Sequence, residues 1–280
     1  MAVWELLCTL WQFLLLNLKV LYVLLADVVS TLLPPPQKNL SDSVVLITGA
    51  GGALGRALAL QFAACGARLA LWDISEASVQ ASAEAVQAAG GEAFVFVCDV
   101  TSPDDVTATA AKVRDEVGEP GVVVLSAGVY HHKPFLQHTE HDIRTTVDVN
   151  LMGNIWVTRA FLGGMMASNS GHVVVLSSVL GVMGRPLLAP YCASKFAVTG
   201  ELLSAVLRVP GVFDILTPAD AASAIVTAVR RNQEELFLPR KLKPLMRINR
   251  RRVSLISLIA EHLQDVKLRE RVDEELPRWL

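Results

Sequence analysis

Val44-Val45-Leu46-Ile47-Thr48-Gly49-Ala50-Gly51-Gly52-Ala53-Leu54-Gly55 is the stretch whose reading decides the fold. Its first four residues are an unbroken apolar run, as a parallel strand buried on both faces requires. A glycine-rich turn follows, and Arg56 to Phe62 then falls into helical register. Strand, glycine turn and helix in that order form a phosphate cradle, because backbone N–H groups and the positive end of the helix face an anion placed there. The alternation then repeats. Arg68 to Asp73 reads as a second strand, Ser75 to Ala89 as an alanine-rich helix ended by Gly90-Gly91, and Phe94 to Val97 as a third strand. Val106 to Val117 reads as a helix, Val122 to Leu125 as a fourth strand, and Gly171 to Ser178 as a fifth. Strands and helices taken alternately imply an α/β fold with a doubly wound parallel sheet and helices on both faces.

Outward from this core, composition sets the frame. The 280 residues suit one α/β domain with extensions. Residues Leu6 to Ala26 are almost wholly apolar, with Trp4, Trp11 and Tyr22 at the ends or flanks. Such a run is long enough to cross about 30 Å of hydrocarbon as a helix. Lys19 lies inside it, so a full span needs snorkelling, and an interfacial or hairpin-like insertion stays open. Glu5 precedes the run and there is no basic leader, which argues against a cleaved signal peptide. Residues 1–33 are therefore expected to be a membrane anchor and 34–43, with Pro34-Pro35-Pro36, a linker. The catalytic domain is expected over 44–240 and a basic amphipathic tail over 241–280. In that tail Arg240, Lys241, Lys243, Arg247, Arg250, Arg251 and Arg252 interleave with Leu242, Leu245, Met246 and Ile248, a pattern that suits an anionic membrane surface or a solvated face. A net charge of -2 argues against a general nucleic-acid binder. Cys8, Cys65, Cys98 and Cys192 are scattered without ligand spacing and read as reduced thiols facing the cytosol.

The chemistry-bearing residues cluster where strands end. Asp73 closes the second strand, where a carboxylate takes both ribose hydroxyls and repels a 2′-phosphate. That favours NAD over NADP, with Arg56 beside the turn pointing the other way. Asp99 follows the third strand and reads as an adenine contact or as a helix N-cap. Tyr191-Cys192-Ala193-Ser194-Lys195 places a phenol and an ammonium four apart, on one helical face. A tyrosine with a pKa of about 10 is a poor base near neutrality, and an adjacent cation stabilises its phenolate. Ser178 sits at the carboxyl end of the fifth strand, where ligands bind in such sheets. Asn150, inside the apolar helix through Trp156, is unfavourable unless its amide holds a water or a backbone carbonyl. His131, His132, His138 and His141 crowd one loop and helix, but adjacent histidines do not readily share an ion, and no metal site is expected.

Together these residues resemble the short-chain dehydrogenase/reductase family over roughly residues 41 to 240, which implies a Rossmann-like sheet. The family turn T-G-x-x-x-G-x-G appears as Thr48 to Gly55, and the tetrad maps onto Asn150, Ser178, Tyr191 and Lys195. The resemblance implies cofactor contacts from Thr48, Gly49, Gly51, Gly52, Leu54, Gly55, Asp73, Asp99, Val100, Ala127, Gly128, Tyr191 and Lys195. The hydrophobic N-terminus, Leu71-Trp72-Asp73-Ile74 and Tyr191 to Phe196 look more narrowly like the membrane-bound retinol and 17β-hydroxysteroid dehydrogenase branch. That implies a lipophilic alcohol or carbonyl as substrate, a place at the endoplasmic reticulum or lipid droplet with the domain facing the cytosol, and a homodimer through the helices holding Asn150 and Tyr191. It also implies roles: Tyr191 takes the alcohol proton, Lys195 lowers its pKa and binds the nicotinamide ribose, Ser178 holds the substrate oxygen, and Asn150 organises a water relay. The sequon Asn39-Leu40-Ser41 is expected to stay unused on the cytosolic side.

The chain departs from the family at three places. The Asn-Asn-Ala-Gly after strand four is Leu125-Ser126-Ala127-Gly128, and Ala53 stands where glycine is usual. After a helix expected from Tyr191 to about Leu207, Arg208 to Pro218 leads directly into the helix Ala219 to Arg231. Either Pro210-Gly211 is the nicotinamide turn with its strand lost, or the sixth strand, turn and substrate loop are all absent. The second reading is preferred, with Glu235 to Leu238 as the final strand moved inward. Two functions remain open: a membrane-bound NAD-dependent alcohol dehydrogenase, or a catalytically impaired, membrane-tethered nucleotide-binding or scaffold protein.

Overall fold

The strand that precedes the glycine turn lies at the middle of one parallel sheet in the computed structural model, which describes residues 36–201, 204–207, 218–231 and 236–238. β1 (Val44–Thr48) is flanked by β2 (Arg68–Asp73) on one side and β4 (Val122–Leu125) on the other. β3 (Glu92–Val97) lies outside β2, and β5 (His172–Ser177), β6 (Ser204–Leu207) and β7 (Leu236–Leu238) continue beyond β4. The order β3-β2-β1-β4-β5-β6-β7 reverses direction between β1 and β4. A crevice opens at such a switch point, outside the carboxyl ends of the strands. Every chemistry-bearing residue singled out from the sequence comes from that edge or from the helices beside it.

Alternation along β1 shows that both faces are covered. Val45 and Ile47 belong to one apolar cluster with Leu58, Phe62, Leu69, Leu71 and Ile225. Leu46 turns to the other, with Trp72, Val123, Leu125 and Phe161. Successive side chains of a strand point to opposite faces, so each cluster has its own helices. α1 (Ala53–Ala63), α2 (Glu76–Ala88) and, after β6, α7 (Pro218–Arg230) cover the first. α3 (Pro103–Glu116) and α5 (Gly153–Ala167) cover the second. Local sequence sets their starts: the Ser75 hydroxyl caps α2 by accepting from Ser78 N–H, and Ser102 caps α3 by accepting from Asp105 N–H with Pro103 at its first position. Of the expected linker, Lys38 exchanges hydrogen bonds with Arg230 on α7, and Leu40 is buried in the first cluster.

α4 (Glu140–Val147) runs into α5 through a π-helical turn, Asp148–Met152, that carries Asn150. α6 (Ala189–Glu201) carries Tyr191 and Lys195. Here the structure corrects the sequence reading. Ser204–Leu207 is not the end of the helix but a sixth strand, in parallel register with Val175–Ser177 on one side and Leu236–Leu238 on the other. A sheet lacking it would leave the backbone groups of β5 unpaired along that edge, and pairing outweighs the helix preference of Ala205 and Leu207 there. β7 therefore stays one place further out than expected. The expected anchor over 1–33, the tail over 241–280 and the segment 208–217, where turn and substrate loop are in question, lie outside the described residues. Among the described residues no helix is long and apolar enough to cross a membrane.

Phe161 tests the second cluster. It is fully buried, its ring lies 5.9 Å from that of Trp72, and the Arg114 guanidinium sits 5.0 Å over its face. Phe161→Ala is expected to cost about 3–5 kcal/mol in urea unfolding. Leu162→Ala, at an exposed neighbouring position, should stay within about 0.5 kcal/mol.

Candidate active site

The glycine turn is shaped first by its own packing. Gly49 has φ +66°, and a Cβ there would lie 2.7 Å from Cα of Ala127. A Cβ on Gly55 would strike the carbonyl oxygen of Gly49. These two glycines let the turn fold back on itself and against the loop after β4. Thr48 at the end of β1 completes the link, its hydroxyl accepting from the N–H groups of Ser126 (3.1 Å) and Ala127 (3.2 Å). Gly52 is the exposed N-cap of α1, with no side-chain cap and no acidic residue in the first turn. Leu54 in that turn packs its side chain on the first apolar cluster.

Asp73 is not a solvated loop carboxylate. One oxygen accepts from Gly51 N–H at 2.9 Å and the other from Ser75 N–H at 2.9 Å, pinning the turn to the end of β2. A carboxylate has room for further donors on each oxygen. Arg56 reaches the same corner, where its Nε donates to the Ser82 hydroxyl at 3.1 Å, and Ser82 donates to Ala50 C=O at 2.8 Å. Asp99 makes a local turn, accepting from the N–H and the hydroxyl of Thr101 at 2.9 and 2.8 Å. It is not the cap of α3, which is Ser102. Val100 is buried in the second cluster.

The four tetrad positions converge. Asn150 is 0% exposed. Its carbonyl oxygen accepts from Val129 N–H at 2.8 Å, and its amide donates to Val129 C=O at 2.9 Å and to the Ser194 hydroxyl at 3.1 Å. Ser194 in turn donates to Tyr191 C=O at 2.8 Å. The buried amide thus finds the backbone carbonyl anticipated for it, and both its hydrogens are committed to protein. Asn154, one turn on, donates to Asn150 C=O at 2.8 Å and satisfies a carbonyl at the π-helical turn. Gly128 lies over the group: a Cβ there would be 3.4 Å from Asn150 Oδ1 and 4.0 Å from Lys195 Nζ.

Ser178, 2% exposed, accepts from Leu180 N–H at 3.1 Å and acts on the Tyr191 phenol to lower its pKa. Lys195, 5% exposed, donates to Leu176 C=O at 2.9 Å and places Nζ 5.8 Å from the centroid of the Tyr191 ring. Burial raises the Tyr191 pKa, and Ser178 opposes it. One of the three ammonium donors is engaged by the Leu176 carbonyl. Burial brings Lys195 itself down to about 8.

Three contributors had no sequence signal strong enough to find them. Ser194 relays Asn150 to α6, and Asn154 was legible only as a second asparagine four residues after the first. Tyr130 meets the Tyr191 ring edge-on at 5.9 Å from a loop distant in sequence. The histidines go elsewhere: His131 lies 3.5 Å from Asp142, which Lys133 also binds at 2.8 Å. Among the described residues no group of three or more metal-ligating side chains occurs.

With this geometry in view, the model of the short-chain dehydrogenase family matches residues 43–209. The chain belongs to that family. It is 33% identical over 259 residues to human (Homo sapiens) epidermal retinol dehydrogenase 2, covering 81% of this chain and 84% of that one. It is 31% identical over 255 residues to mouse (Mus musculus) 17-beta-hydroxysteroid dehydrogenase 13, covering 81% and 84%. Among solved structures, a metagenomic short-chain oxidoreductase in complex with NADP is 27% identical, with a TM-score of 0.66 over 72% of this chain and 98% of that one. An NAD+-bound xylitol dehydrogenase is 32% identical, with a TM-score of 0.56 over 58% and 63%. The family match ends just past β6, so this dehydrogenase chain carries turn, tetrad and sixth strand inside the matched region.

The lowered Lys195 pKa has a sign that can be measured. Folded Lys195 loses its proton near pH 8, and the unfolded lysine near 10.5. Between these values the unfolded chain binds more protons, so stability rises with pH. The penalty of burying the charge is fully present below about pH 8. Stability measured by urea unfolding should therefore climb from pH 8 towards 10 in the wild type, and Lys195→Met should flatten that climb.

Proposed function

We propose that the protein is a membrane-associated, NAD-dependent dehydrogenase that interconverts a lipophilic alcohol, of retinol or steroid type, and its carbonyl. One observation carries the reading: Asn150, Ser178, Tyr191 and Lys195 gather at the carboxyl end of β5, with Asn150 bonded to Ser194 on α6 and Lys195 bonded to Leu176 C=O, its Nζ 5.8 Å from the centre of the Tyr191 ring.

The residues present fit a nicotinamide dinucleotide. The uncapped first turn of α1, with no carboxylate in it, leaves backbone N–H groups facing an anion. Thr48, Gly49, Gly51, Gly52 and Gly55 shape that cradle, Asp73 and Asp99 stand at the ends of β2 and β3, and Ala127 and Gly128 line the way to the tetrad. When bound, the cofactor supplies the acceptor or donor of hydride. The protein's part is binding, orientation and the proton. Ser178 holds the substrate oxygen, and Tyr191 exchanges the proton with it. Burial keeps Tyr191 as a neutral phenol, the form that donates to a carbonyl oxygen. Oxidation needs the phenolate, so alcohol oxidation should gain with rising pH while carbonyl reduction falls. Lys195 is placed to approach a ribose from beneath Gly128, and Asn150 holds the loop that positions both.

Several observations support the finer assignments. Asp73, fixed where it would repel a 2′-phosphate, favours NAD, and the Arg56 Nε is occupied by Ser82. The apolar run Leu6 to Ala26 and the retinol and steroid names of the relatives support a lipid-partitioning substrate and a place at the endoplasmic reticulum or lipid droplet, the domain facing the cytosol. Exposed Leu162 and Met166 on α5 and Phe196 on α6 support pairing of two copies through these helices. A second reading, a nucleotide-binding protein without turnover, is favoured by the engagement of Lys195 with Leu176 C=O.

NADH formation by membranes carrying the protein, with retinol and steroid alcohols, separates the two. Tyr191→Phe should lower the rate by about 10²–10⁴-fold while thermal stabilisation by NAD is kept. Equal rates in wild type and variant would overturn the dehydrogenase reading, and stabilisation by NAD with no turnover would establish the second.

A further inference from the structure

Tyr130 is an aromatic residue beside the site that the reaction above leaves without a task. Its neighbour Val129 is gripped through both its N–H and its C=O by the Asn150 amide, so the backbone entering Tyr130 is anchored to a fully buried side chain. Three residues on, Lys133 N–H donates to Leu187 C=O at 3.0 Å and ties this loop to the segment leading from Ser178 into α6. Between these two attachments the Tyr130 ring stands edge-to-face with Tyr191, planes at 68° and centroids 5.9 Å apart. It is nevertheless 66% exposed. One part of the ring touches the phenol that moves the proton, and the rest meets solvent beside it. An aromatic ring held this way gives up little freedom when an apolar ligand covers it.

We propose that Tyr130 is a positioning and specificity-determining residue of the alcohol site: its contact holds the Tyr191 ring from the solvent side, and its free surface packs against the apolar body of a ring-bearing alcohol. The inference rests on the alcohol dehydrogenase reading and adds to it the class of substrate body selected. A rigid ring or flat polyene presents a surface that an aromatic face matches, whereas a flexible alkyl chain must be ordered to do so. The electrostatic influence of Tyr130 is consistent with this proximity, since it adds a small upward push to the Tyr191 pKa.

Tyr130→Ala and Tyr130→Phe decide it, because the exposed side chain is not part of either apolar cluster and both variants should fold. With NAD saturating, kcat and KM are measured for retinol, estradiol and decanol. In Tyr130→Ala the preference for the ring-bearing alcohols over decanol should fall about two- to tenfold, mostly through KM, and Tyr130→Phe should retain it. An unchanged preference, or a loss equal for all three alcohols, would overturn the specificity assignment. The positioning assignment has its own readout. The chain has three tyrosines, Tyr22, Tyr130 and Tyr191, so isotope-labelled tyrosine gives few ring signals in NMR, each assignable by a Tyr→Phe variant. The Tyr191 signal should shift in Tyr130→Ala without substrate present, and an unmoved signal would overturn the contact. A wild-type protein that binds NADH but oxidises none of the alcohols would overturn the proposed reaction and the specificity role with it. The NMR signal alone would then decide whether Tyr130 holds Tyr191.

Discussion

The site depends on one buried amide. Asn150 clamps both backbone groups of Val129 and reaches the Ser194 hydroxyl, so it joins the loop after β4 to the helix that carries Tyr191 and Lys195. An amide buried without partners is costly, and one with three satisfied bonds acts as a cross-link whose rupture carries the same penalty. The π-helical turn around it is part of the same solution. A regular α-helix would send residue 150 along a different direction, and the displaced carbonyl it leaves is met by the Asn154 side chain. Local irregularity and a buried polar network are thus two sides of one arrangement, paired where the chain gathers its reactive groups.

A second constraint is electrostatic. Lys195 is itself buried, and the Leu176 carbonyl at the end of β5 is its described hydrogen-bond partner. The backbone of the sheet therefore holds the ammonium in place before any ligand arrives. Burial then weakens the charge on Lys195 and suppresses ionisation of Tyr191 together. An anion or dipole entering beside Gly128 would favour the charged lysine, which would in turn favour the phenolate. Without such a group the site is biased towards the neutral phenol.

How much of this was legible in the sequence varies with the range of the interaction. The strand–turn–helix at Val44 to Phe62 and the alternation after it were readable because their signals are local: apolar runs, glycines and caps within a few residues of one another. The convergence of Asn150, Ser178, Tyr191 and Lys195 was readable only through the resemblance, since no spacing states that residues 150 and 194 will meet. The net shift of Tyr191 is set first by its burial, which no spacing in the sequence states. Four-residue spacing places Lys195 on the same helical face, but the direction of its ammonium is set by the Leu176 carbonyl on a strand. The sixth strand was missed because Ser204 to Leu207 has no local mark of a strand, and its conformation is decided by the open edge of β5. Tyr130 was invisible because its meaning lies entirely in a contact across sixty-one residues of chain.

The order of the parts along the chain separates the site from the helix and strand that follow it. The glycine turn, Asp73, Asp99 and the tetrad all come from Thr48 to Lys195, inside the region that the family model matches. After that region α7 returns to the first apolar cluster, where Ala221, Ala222, Ile225, Val226 and Val229 pack with Leu58 and Phe62 of α1. The helix thereby buttresses the very element whose N-terminus forms the cradle. Its docking face is carried within its own thirteen residues and does not require a particular length of connection before it. Loop closure cost changes slowly with loop length, so a short connection is tolerated if it spans the distance. β6 then needs only enough residues to pair with β5 and β7, and its four supply that. The convergence of Asn150, Ser178, Tyr191 and Lys195 thus rests on the part of the sheet that is packed on both faces.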